Sequence, residues 1–530
     1  MSVYPRPIAV VLDGPRAPAW QERALAGLRD SRALDVVEVR LAGSLPRKRA
    51  RRLYAAAEHR LLRFGADALA PVALPRSELD PTDDSEAASA GEGALVVWLS
   101  ERPLPDDEQR ELLYVRHGGV REQAEDAFAR AVFSGADCVE SEVLLRRRGG
   151  TVVVQRTVSG VRAFSAVLSC DLALWKLAAL VTRAAERAPG LDLPASASSP
   201  AAAPPSTAAM LLRAALTWVR VLSVRLLFRR PWSVRVRARG PQLTHGWSSE
   251  TDLVRWRPGH LYADPFLFEH AGSHHLFCEE LPLGAERAVI SHTELHDDGR
   301  TADPPSTVLA APYHLSYPFV FTHGAEIFMI PETSAVSRVE LYRAVDFPNG
   351  WQREAIILDD VDAADATILA DDDRLWLFAA IAAPHASSLD ELHLFWSDAP
   401  AGQWHPHPGN PVVSDVRGAR PAGAVQRFGA RLVRPGQDGS RRYGWAISFR
   451  EIDVLSLTEY AEHEVDRLEP IDVAGARATH SYSSDERFEA IDLRRRELRG
   501  RLRVARLASA LTRRARPAAR EPGRSAGSSR

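Results

Sequence analysis

Cysteine is scarce in this chain of 530 residues, and its few copies are unsuited to cross-linking. Cys138, Cys170 and Cys278 are odd in number and far apart, which excludes a disulfide framework and a zinc knuckle. A reducing compartment suits such a chain. The N-terminal apolar run before Asp13 has five residues, too few for the apolar part of a signal peptide. We therefore expect a cytoplasmic protein.

Lysine is nearly absent, and basic residues do not outnumber acidic ones. All of the 67 basic residues except Lys48 and Lys176 are arginine, a bias typical of GC-rich bacterial genomes. The net charge is -2, which argues against a nucleic-acid partner. The turn at Gly14 lacks the Gly-x-Gly-x-x-Gly pattern of a dinucleotide site. We predict no cofactor and no metal ion.

The first 190 residues have the order of an α/β domain. An apolar run at residues 6–13 predicts a buried strand, a stretch of helical spacing follows it, and the run LDVVEVRLA predicts a second strand. Strand, helix, strand is the start of a parallel sheet. We predict an α/β domain with a parallel sheet over residues 1–190.

A short pattern, first seen as ADPFLF, returns four more times in the second half of the chain. Successive copies are 53, 48, 55 and 60 residues apart, and the corresponding positions hold Asp264, Tyr317, Asp365, Arg420 and His480. The early copies continue as strand, polar turn and strand, as in FLFEHAGSHHLFCEE. Intervals of this length fit four-stranded blades. We predict an all-β, five-bladed β-propeller over residues 240–490.

The marker position is where a propeller would place its chemistry. The innermost strand of each blade begins near the axis, so the five marker side chains would face one funnel. A position retained for packing would hold one small or apolar residue type, whereas this one holds two carboxylates, a phenol, a guanidinium and an imidazole. The alternative is that Asp264 and Asp365 cap strand ends or turns.

Several runs in the predicted propeller resemble a known family. They are YADPFLFEHAG, PYHLSYPFVFTHGAEIFMIPETS, VELYRAVDFPNGW, DDVDAADATILADDDRLWLFA, HPGNPVVSDVRGARPAG and RPGQDGSRRYGWAI. These runs resemble the N-terminal domain of the glucosamine inositolphosphorylceramide transferase family, which also occurs behind a formyltransferase-like domain. In fold, that domain is similar to the five-bladed propellers of family 43 glycoside hydrolases.

The resemblance implies a set of catalytic carboxylates. Asp264 matches the general base of the first blade, and Asp365 matches an aspartate that tunes and orients. Glu332, in MIPETS, is expected to be the general acid, with Glu280 as the other inward-pointing candidate. Acetal chemistry needs one protonated and one ionised carboxyl in different environments. The nearest aromatics for stacking on a sugar, which could equally be core residues, are Tyr262, Tyr317, Trp376 and Tyr482.

Arginines crowd the fourth marker, and guanidinium groups suit phosphate or carboxylate. The sequence places there Arg417, Arg420, Arg434, Arg441 and Arg442. We predict an anionic substrate, with binding residues Tyr317, Arg417, Arg420, Gln437, Arg441 and His480. Salt bridges to Asp415 or Asp438 are the alternative. An axial Arg420 would lower the pKa values of Asp264 and Asp365 and keep both ionised, so the proton would come from Glu332 or His480.

The N-terminal domain resembles the formyltransferase-like fold through the helix LWKLAALVTRAAE. This resemblance implies a three-layer α/β fold of Rossmann type over residues 1–190. The resemblance offers one candidate residue, His117 in YVRHGG, because the family's His-x-Ser-Leu-Leu-Pro segment is not matched. We expect a degenerate domain in which His117 is a hydrogen-bonded strand residue. Formyl transfer would instead require His117 to line a cleft beside an Asn or Asp.

Three further segments lie outside the two domains. Residues 191–208 are rich in Pro, Ala and Ser, which predicts an extended linker. Residues 209–239 predict an amphipathic helix and connector, which either packs on the propeller or lies, through 209–230, in a membrane interface. Residues 491–530 predict a basic, disordered tail that an acidic lipid surface at the inner membrane face would attract.

The sequence thus predicts a carbohydrate-active protein whose propeller binds and transforms, by hydrolysis or transfer, a glycan, sugar phosphate or nucleotide sugar. One alternative is a non-catalytic module that binds a glycan or phospholipid head group. A second alternative is formyl transfer by the N-terminal domain. Two carboxylates within about 5–10 Å across one pocket would favour the enzyme.

Overall fold

The computed structural model describes most of both predicted domains. The described residues are 5–42, 55–56, 58–59, 66–74, 94–106, 110–148, 150–188, 205–229, 231–240, 247, 256–301, 303–371 and 374–498. The predicted linker lies outside them except for residues 205–208. The predicted tail lies outside them after residue 498.

The N-terminal domain is built on a mixed six-stranded sheet. Its strands are β1 (Arg6–Leu12), β3 (Leu34–Leu41), β5 (Leu95–Trp98), β6 (Leu112–His117), β7 (Cys138–Arg147) and β8 (Gly150–Gly160), in the order β3-β1-β5-β6-β7-β8. The first four strands in this order are parallel to one another. Strand β7 pairs antiparallel with β6, and β8 pairs antiparallel with β7. A separate pair joins β2 (Arg16–Pro18) and β4 (Pro71–Ala73). The predicted parallel strands are present, while the formyltransferase-like form of the fold stays a prediction.

Three helices share the main core of this domain with the sheet. They are α1 (Ala19–Asp30), α2 (Ala124–Ser134) and α3 (Ala166–Arg187). Side chains alternate along a strand, so Ile8 and Val10 of β1 pack in the helical core while Val11 joins a smaller cluster with Trp98. The hydroxyl of Ser165 caps α3 by accepting the amide of Leu168 at 3.0 Å.

Five antiparallel sheets follow, which confirms the predicted propeller. Blade one holds β11 (His260–His270), β12 (Ser273–Pro282), β13 (Val289–Leu295) and β14 (Ser306–Leu309). Blade two holds β15 (Ser316–His323), β16 (Glu326–Thr333), β17 (Arg338–Asp346) and β18 (Gly350–Asp359). Blade three holds β19 (Ala363–Asp371), β20 (Arg374–Ile381), β21 (Glu391–Ser397), β22 (His405–Pro406) and β23 (Val413–Ser414). Blade four holds β24 (Gln426–Phe428), β25 (Arg431–Asp438), β26 (Ala446–Leu455) and β27 (Tyr460–Leu468).

The fifth blade joins the two ends of the propeller sequence. It consists of β10 (Trp232–Ala238), β29 (Phe488–Arg494) and β28 (Tyr482–Ser484), in that order. β10 runs antiparallel to β29, from Trp232 opposite Arg494 to Ala238 opposite Phe488. The ring is closed through this pairing, so the predicted boundaries at 240 and 490 fall within the fifth blade. Closure also covers strand edges that would otherwise be open to other chains.

One helix leads from the first domain to the propeller. This helix, α4 (Thr207–Leu227), is followed at once by β9 (Phe228–Arg229), which pairs with β30 (Glu497–Leu498) after the last blade. Met210 of α4 joins the core of the N-terminal domain. Within 209–239, predicted as an amphipathic helix and connector, the helix ends at Leu227, and the connector contains β9 and β10, the latter a strand of the fifth blade.

The N-terminal domain contacts blade three through buried ion pairs. Lys176 of α3 is fully buried, and its Nζ lies 2.8 Å from Asp390 Oδ2 and 3.0 Å from the carbonyl oxygen of Val158. Arg183 Nη2 donates to Glu391 Oε1 at 2.6 Å. An isolated parallel bridge links Val158 to Asp415 beyond β23. Helix α3 thus supplies two ion pairs between the domains, and β8 supplies the bridge.

Candidate active site at the propeller axis

Three of the five markers occupy the same unusual backbone position. Asp264, Tyr317 and Asp365 have φ values of 49°, 47° and 54°, in the left-handed region that non-glycine residues seldom adopt. Each lies at a register irregularity in the first strand of its blade, in β11, β15 and β19. Such bulges redirect a side chain, and strained residues of this kind cluster at functional sites. The repeated sequence position is thus a repeated structural feature, a bulge that holds one residue in the left-handed conformation.

One half of the site gathers around the guanidinium of Arg420. Its Nε donates to Asp365 Oδ2 at 2.6 Å, and its Nη2 donates to Asp365 Oδ1 at 3.2 Å and to Glu332 Oε2 at 3.1 Å. Gln437 Nε2 also donates to Asp365 Oδ2, at 2.5 Å. Ser334 Oγ donates to the other oxygen of Glu332 at 2.8 Å. Four of the predicted residues, from three blades, therefore form one network.

The other half places an imidazole between two aspartates. His480 Nδ1 lies 2.5 Å from Asp492 Oδ2, and its Nε2 lies 3.5 Å from Asp264 Oδ1. Ser481 Oγ donates to Asp264 Oδ1 at 2.5 Å, and the amide of Tyr317 donates to Asp264 Oδ2 at 3.3 Å. Blade five thus positions the first-blade aspartate.

Burial separates the pKa values of the three candidate carboxyls. It raises the pKa of Asp264 to about 7, although the neighbouring His480 opposes the shift. Burial and the adjacent Glu332 raise the pKa of Asp365 well above its usual range despite Arg420. For Glu332, burial acts upward too, but Arg420 and hydrogen bonds outweigh it and lower the pKa. Asp365 and Glu332 share one guanidinium and titrate as a pair.

These directions correct one prediction. Arg420 does not keep both aspartates ionised: at Asp365 burial raises the pKa more than the guanidinium lowers it, and at Asp264 burial outweighs the opposing charge of His480. His480 follows the opposite balance. Burial lowers its pKa, but the charges of Asp492 and Asp264 outweigh burial and raise the pKa to about 9.

Tyr443 forms the open side of the cluster, and the sequence argument did not single it out. The residue is 41% exposed, and its ring lies 5.5 Å from Arg420 Cζ and 5.1 Å from the His480 ring. Burial of its hydroxyl raises the pKa of Tyr443 well above its usual range although Arg420 opposes the shift, and the charges of Asp264, Asp365 and Glu332 add to it. Tyr443 therefore lies where the two halves of the site meet. Trp232 stacks against His480 at 4.3 Å.

The remaining predicted arginines do not converge on the axis. Arg417 pairs with Asp415 at 2.6 Å, which is the alternative that the sequence left open. Arg441 pairs with Asp137 of the N-terminal domain at 2.8 Å. Arg434 is buried against Glu462 at 2.7 Å, and Arg442 donates to the carbonyl oxygen of Arg477. Among these five arginines, Arg420 alone contacts the candidate carboxylates.

Glu280 lies outside the cluster, on the opposite face of its strand from Glu279. It accepts hydrogen bonds from Tyr262 at 2.9 Å and Ser291 at 2.5 Å, and His260 Nδ1 lies 2.6 Å away. The charge of Glu279 contributes to the raised pKa of Asp264. Glu279 is therefore the blade-one glutamate near the axis, one residue from the predicted one. Of the expected stacking aromatics, four are core residues: Tyr262, Tyr317, Trp376 and Tyr482.

His117 is a buried strand residue beneath α2. Its Nδ1 lies 2.8 Å from Ser141 Oγ, its ring packs near Phe128 of α2, and it is 5% exposed. Burial lowers its pKa to about 4. The side-chain neighbours that the structure describes for His117 do not include the Asn or Asp that formyl transfer requires. The expectation of a hydrogen-bonded strand histidine describes this position.

Sequence inspection missed Asp492, Ser481 and Tyr443 for different reasons. Asp492 belongs to the ring-closing strand, 12 residues after the fifth marker, and is not part of the repeated pattern. Ser481 adjoins the fifth marker, and Tyr443 follows the arginine pair in SRRYGWAI, so adjacency was the available signal for both.

Two groups of side chains offer ligand atoms within 4.8 Å of one another: Asp264, His480 and Asp492, and His59, Asp67 and Asp171. Either group has the donor types for a cation.

Residues 247–495 match the family model described as glucosamine inositolphosphorylceramide transferase 1, N-terminal. The match spans nearly all of the propeller and a little under half of the chain, and it confirms the predicted resemblance. Relatives named glucosamine inositolphosphorylceramide transferase 1 are 36% identical over 214 residues in Arabidopsis thaliana and 34% identical over 208 residues in Oryza sativa subsp. japonica. Each match covers 39% of this chain and 28% of the relative. The chain therefore spans little more than a quarter of the length of these relatives.

Solved structures of glycoside hydrolases are similar to about half of the chain. A family 117 glycoside hydrolase from Zobellia galactanivorans has a TM-score of 0.34 at 10% identity, covering 50% of this chain and 90% of that one. A GH43_1 enzyme from Xanthomonas citri has a TM-score of 0.33 at 13% identity, covering 44% and 86%.

Proposed function

We propose that the propeller binds a glycosyl group at the axial cluster and hydrolyses or transfers it by carboxylate acid–base chemistry. The observation that carries the proposal is the placement of three carboxyls in different charge environments beside the exposed ring of Tyr443. Burial raises the pKa of Asp264 to about 7, whereas Arg420 lowers the pKa of Glu332. Cleavage of an acetal needs one proton donor and one ionised carboxylate in the same site.

The roles in this proposal are the reverse of those that the family resemblance implied. Asp264 holds a proton for part of the time near neutral pH, so it is suited to protonate a leaving oxygen and to take the proton back. Glu332 stays ionised beside Arg420 and has a side chain 14% exposed, so it is suited to stabilise positive charge on the sugar. Asp365 positions Arg420, and Tyr443 offers a face for the sugar ring.

The substrate class in this proposal is a glycan or sugar conjugate. Of the five arginines near the fourth marker, only Arg420 lies in the cluster, and two carboxylates already accept from it. A neutral glycosyl group is therefore our first choice over a sugar phosphate or nucleotide sugar. The relatives' name combines glucosamine with inositolphosphorylceramide, so glucosamine and inositol conjugates belong among the compounds to test.

A second candidate function is glycan binding without turnover. It is favoured by the low exposure of the cluster, since Asp264 is 5% exposed and Asp365 is 2% exposed. Both oxygens of Asp264 already accept hydrogen bonds, from Ser481 and from the amide of Tyr317. A bound sugar would then contact the rim at Tyr443 and Glu332 and leave the aspartates as structural groups.

A binding and turnover assay on the full chain tests both candidates. Calorimetry would screen neutral oligosaccharides, glucosamine conjugates, inositol phosphates and nucleotide sugars, and proton NMR would follow the anomeric signals of each binder. The proposal expects turnover that D264N and E332Q abolish. The matched control is E340Q, because Glu340 is a buried carboxylate of blade two that pairs with Tyr313, Tyr342 and Arg353.

Each outcome of that assay selects between the candidates. Binding that survives in D264N, with no anomeric change in any reaction, would establish the binding module. Turnover that D264N leaves intact would refute the acid–base assignment. Equal losses in E340Q and E332Q would show that folding, rather than chemistry, had been measured.

A further inference from the structure

Helix α4 presents an uncovered apolar face in the part of the chain that the structure describes. Seven large apolar side chains of this helix are each more than half exposed: Leu211, Leu212, Leu216, Val219, Leu222, Leu226 and Leu227. At 3.6 residues per turn they fall on one side, within roughly half of the helix circumference. Contiguous apolar surface of this kind marks an interaction site in a soluble protein.

The opposite side of α4 fixes the direction of this face. Met210 is buried in the core of the N-terminal domain. Arg213 Nη1 donates to the carbonyl oxygen of Phe133 at 3.3 Å, and its guanidinium lies 5.3 Å from the Phe133 ring. Trp218 packs edge-on against Phe164, with ring centroids 6.2 Å apart. The helix is thus held against the domain while its leucines point outward.

The sequence that contains α4 is basic and has no acidic residue. Residues 193–249 contain eight arginines and neither aspartate nor glutamate. Arg220, on the edge of the apolar face, is exposed. The pairing of β9 with β30 sets Leu498 opposite Phe228, next to the end of the helix. In sequence, Leu498 is followed by residues 499–530, which contain ten arginines and one glutamate. An apolar face is therefore framed by positive charge.

We propose that α4 docks the protein on the surface of an anionic lipid bilayer. The leucine face would enter the boundary between head groups and acyl chains, and the arginines would lie at the lipid phosphates. Among the described residues no helix is long and apolar enough to cross a membrane, so α4 lies along the surface. A second copy of the chain is a poorer occupant, because face-to-face helices would bring two sets of arginines together.

Vesicle flotation with the full chain tests this proposal. The vesicles are phosphatidylcholine alone and phosphatidylcholine mixed with phosphatidylglycerol. The wild-type chain should float with the anionic vesicles, and salt should weaken its binding. The triple variant L212E/L216E/V219E should bind about tenfold less or worse, since each buried leucine contributes on the order of a tenfold change. A melting curve checks that the variant remains folded.

The matched control makes the same change on exposed apolar residues elsewhere. Val37, Val345 and Ile471 are 54%, 58% and 87% exposed, and V37E/V345E/I471E should float like the wild-type chain. Failure of the wild-type chain to float, or equal binding by both triple variants, would overturn the proposal. The proposal would also be overturned if L212E/L216E/V219E kept its binding while a variant with the arginines of 499–530 changed to glutamine lost it. A dimer in light scattering that L212E/L216E/V219E dissociates would assign the face to a second copy instead.

Discussion

Replacing Lys176 with methionine should weaken the docking of the N-terminal domain on blade three. Lys176 is fully buried and Asp390 is 2% exposed, with Nζ and Oδ2 2.8 Å apart. Removing the ammonium leaves the Asp390 carboxylate buried without a counter-charge. Breaking a buried ion pair in this way costs about 3–5 kcal/mol. The carbonyl oxygen of Val158 also loses its donor, at about 1 kcal/mol.

Calorimetric unfolding of the full chain measures this cost. Two domains need not unfold in one step, so the expected result is a lower transition temperature for one of them, or one transition that separates into two. The double variant K176M/D390L should recover most of the loss, because replacing both charges by apolar groups is often neutral or stabilising. R338M is the surface control, since Arg338 pairs with Asp359 in the open and an exposed pair contributes about 0–1 kcal/mol.

Two results would refute this reasoning. One is a loss in K176M no larger than in R338M, which would mean that the buried pair stabilises no more than a surface pair. The other is a double variant as unstable as K176M, which would place the effect in side-chain packing rather than in the uncompensated charge of Asp390.

Three further predictions concern the axial cluster. Since the pKa of His480 is raised to about 9, its protonation contributes about 3 kcal/mol to the free energy of unfolding, in full below pH 6.5 and lost as pH rises through 9. H480Q should abolish this pH dependence in denaturant titrations, and an unchanged pH dependence would contradict the Asp492 pairing. R420A should lower the melting temperature much more than R417A, because Arg420 serves two buried carboxylates and Arg417 an exposed pair, and equal effects would contradict the network. Y443A should weaken glycan binding in calorimetry by about 1 kcal/mol without lowering the melting temperature, whereas Y443F should bind like the wild type. Unchanged binding by Y443A would show that the Tyr443 ring is not part of the site.

The repeat that predicted the blades succeeded because it reflects local structure. Asp264, Tyr317 and Asp365 mark the same bulge in successive blades, and a bulge of this kind needs only the residues of one hairpin. Its spacing therefore survives in the sequence as a period. The closing strand leaves no comparable trace, because β10 and β29 are more than 250 residues apart and pair through non-local contacts. Asp492 was missed for another reason: it is 12 residues from its partner His480, but it lies outside the repeated pattern.

The parts of the site that were missed or misassigned depend on burial and on register. Arg441 was expected near the axis, but it pairs with Asp137 of another domain, which no local pattern could reveal. Glu279 and Glu280 point to opposite faces of one strand, so an error of one residue exchanged their environments. The pKa of Asp264 follows from loss of hydration, a property that becomes known only when the neighbours are placed.

Ring closure by the fifth blade sets the limits within which this domain can be cut out or rearranged. Trp232 comes from the first propeller strand and Asp492 from the last, and both contact His480. A fragment spanning 240–490 would lack both residues together with the strand pairing that holds them. Any excised propeller must begin before Trp232 and extend past Arg494. Truncation from either end would therefore remove a neighbour of His480 as well as a strand. The protonation of the His480 imidazole thus reports whether the ring of blades is closed.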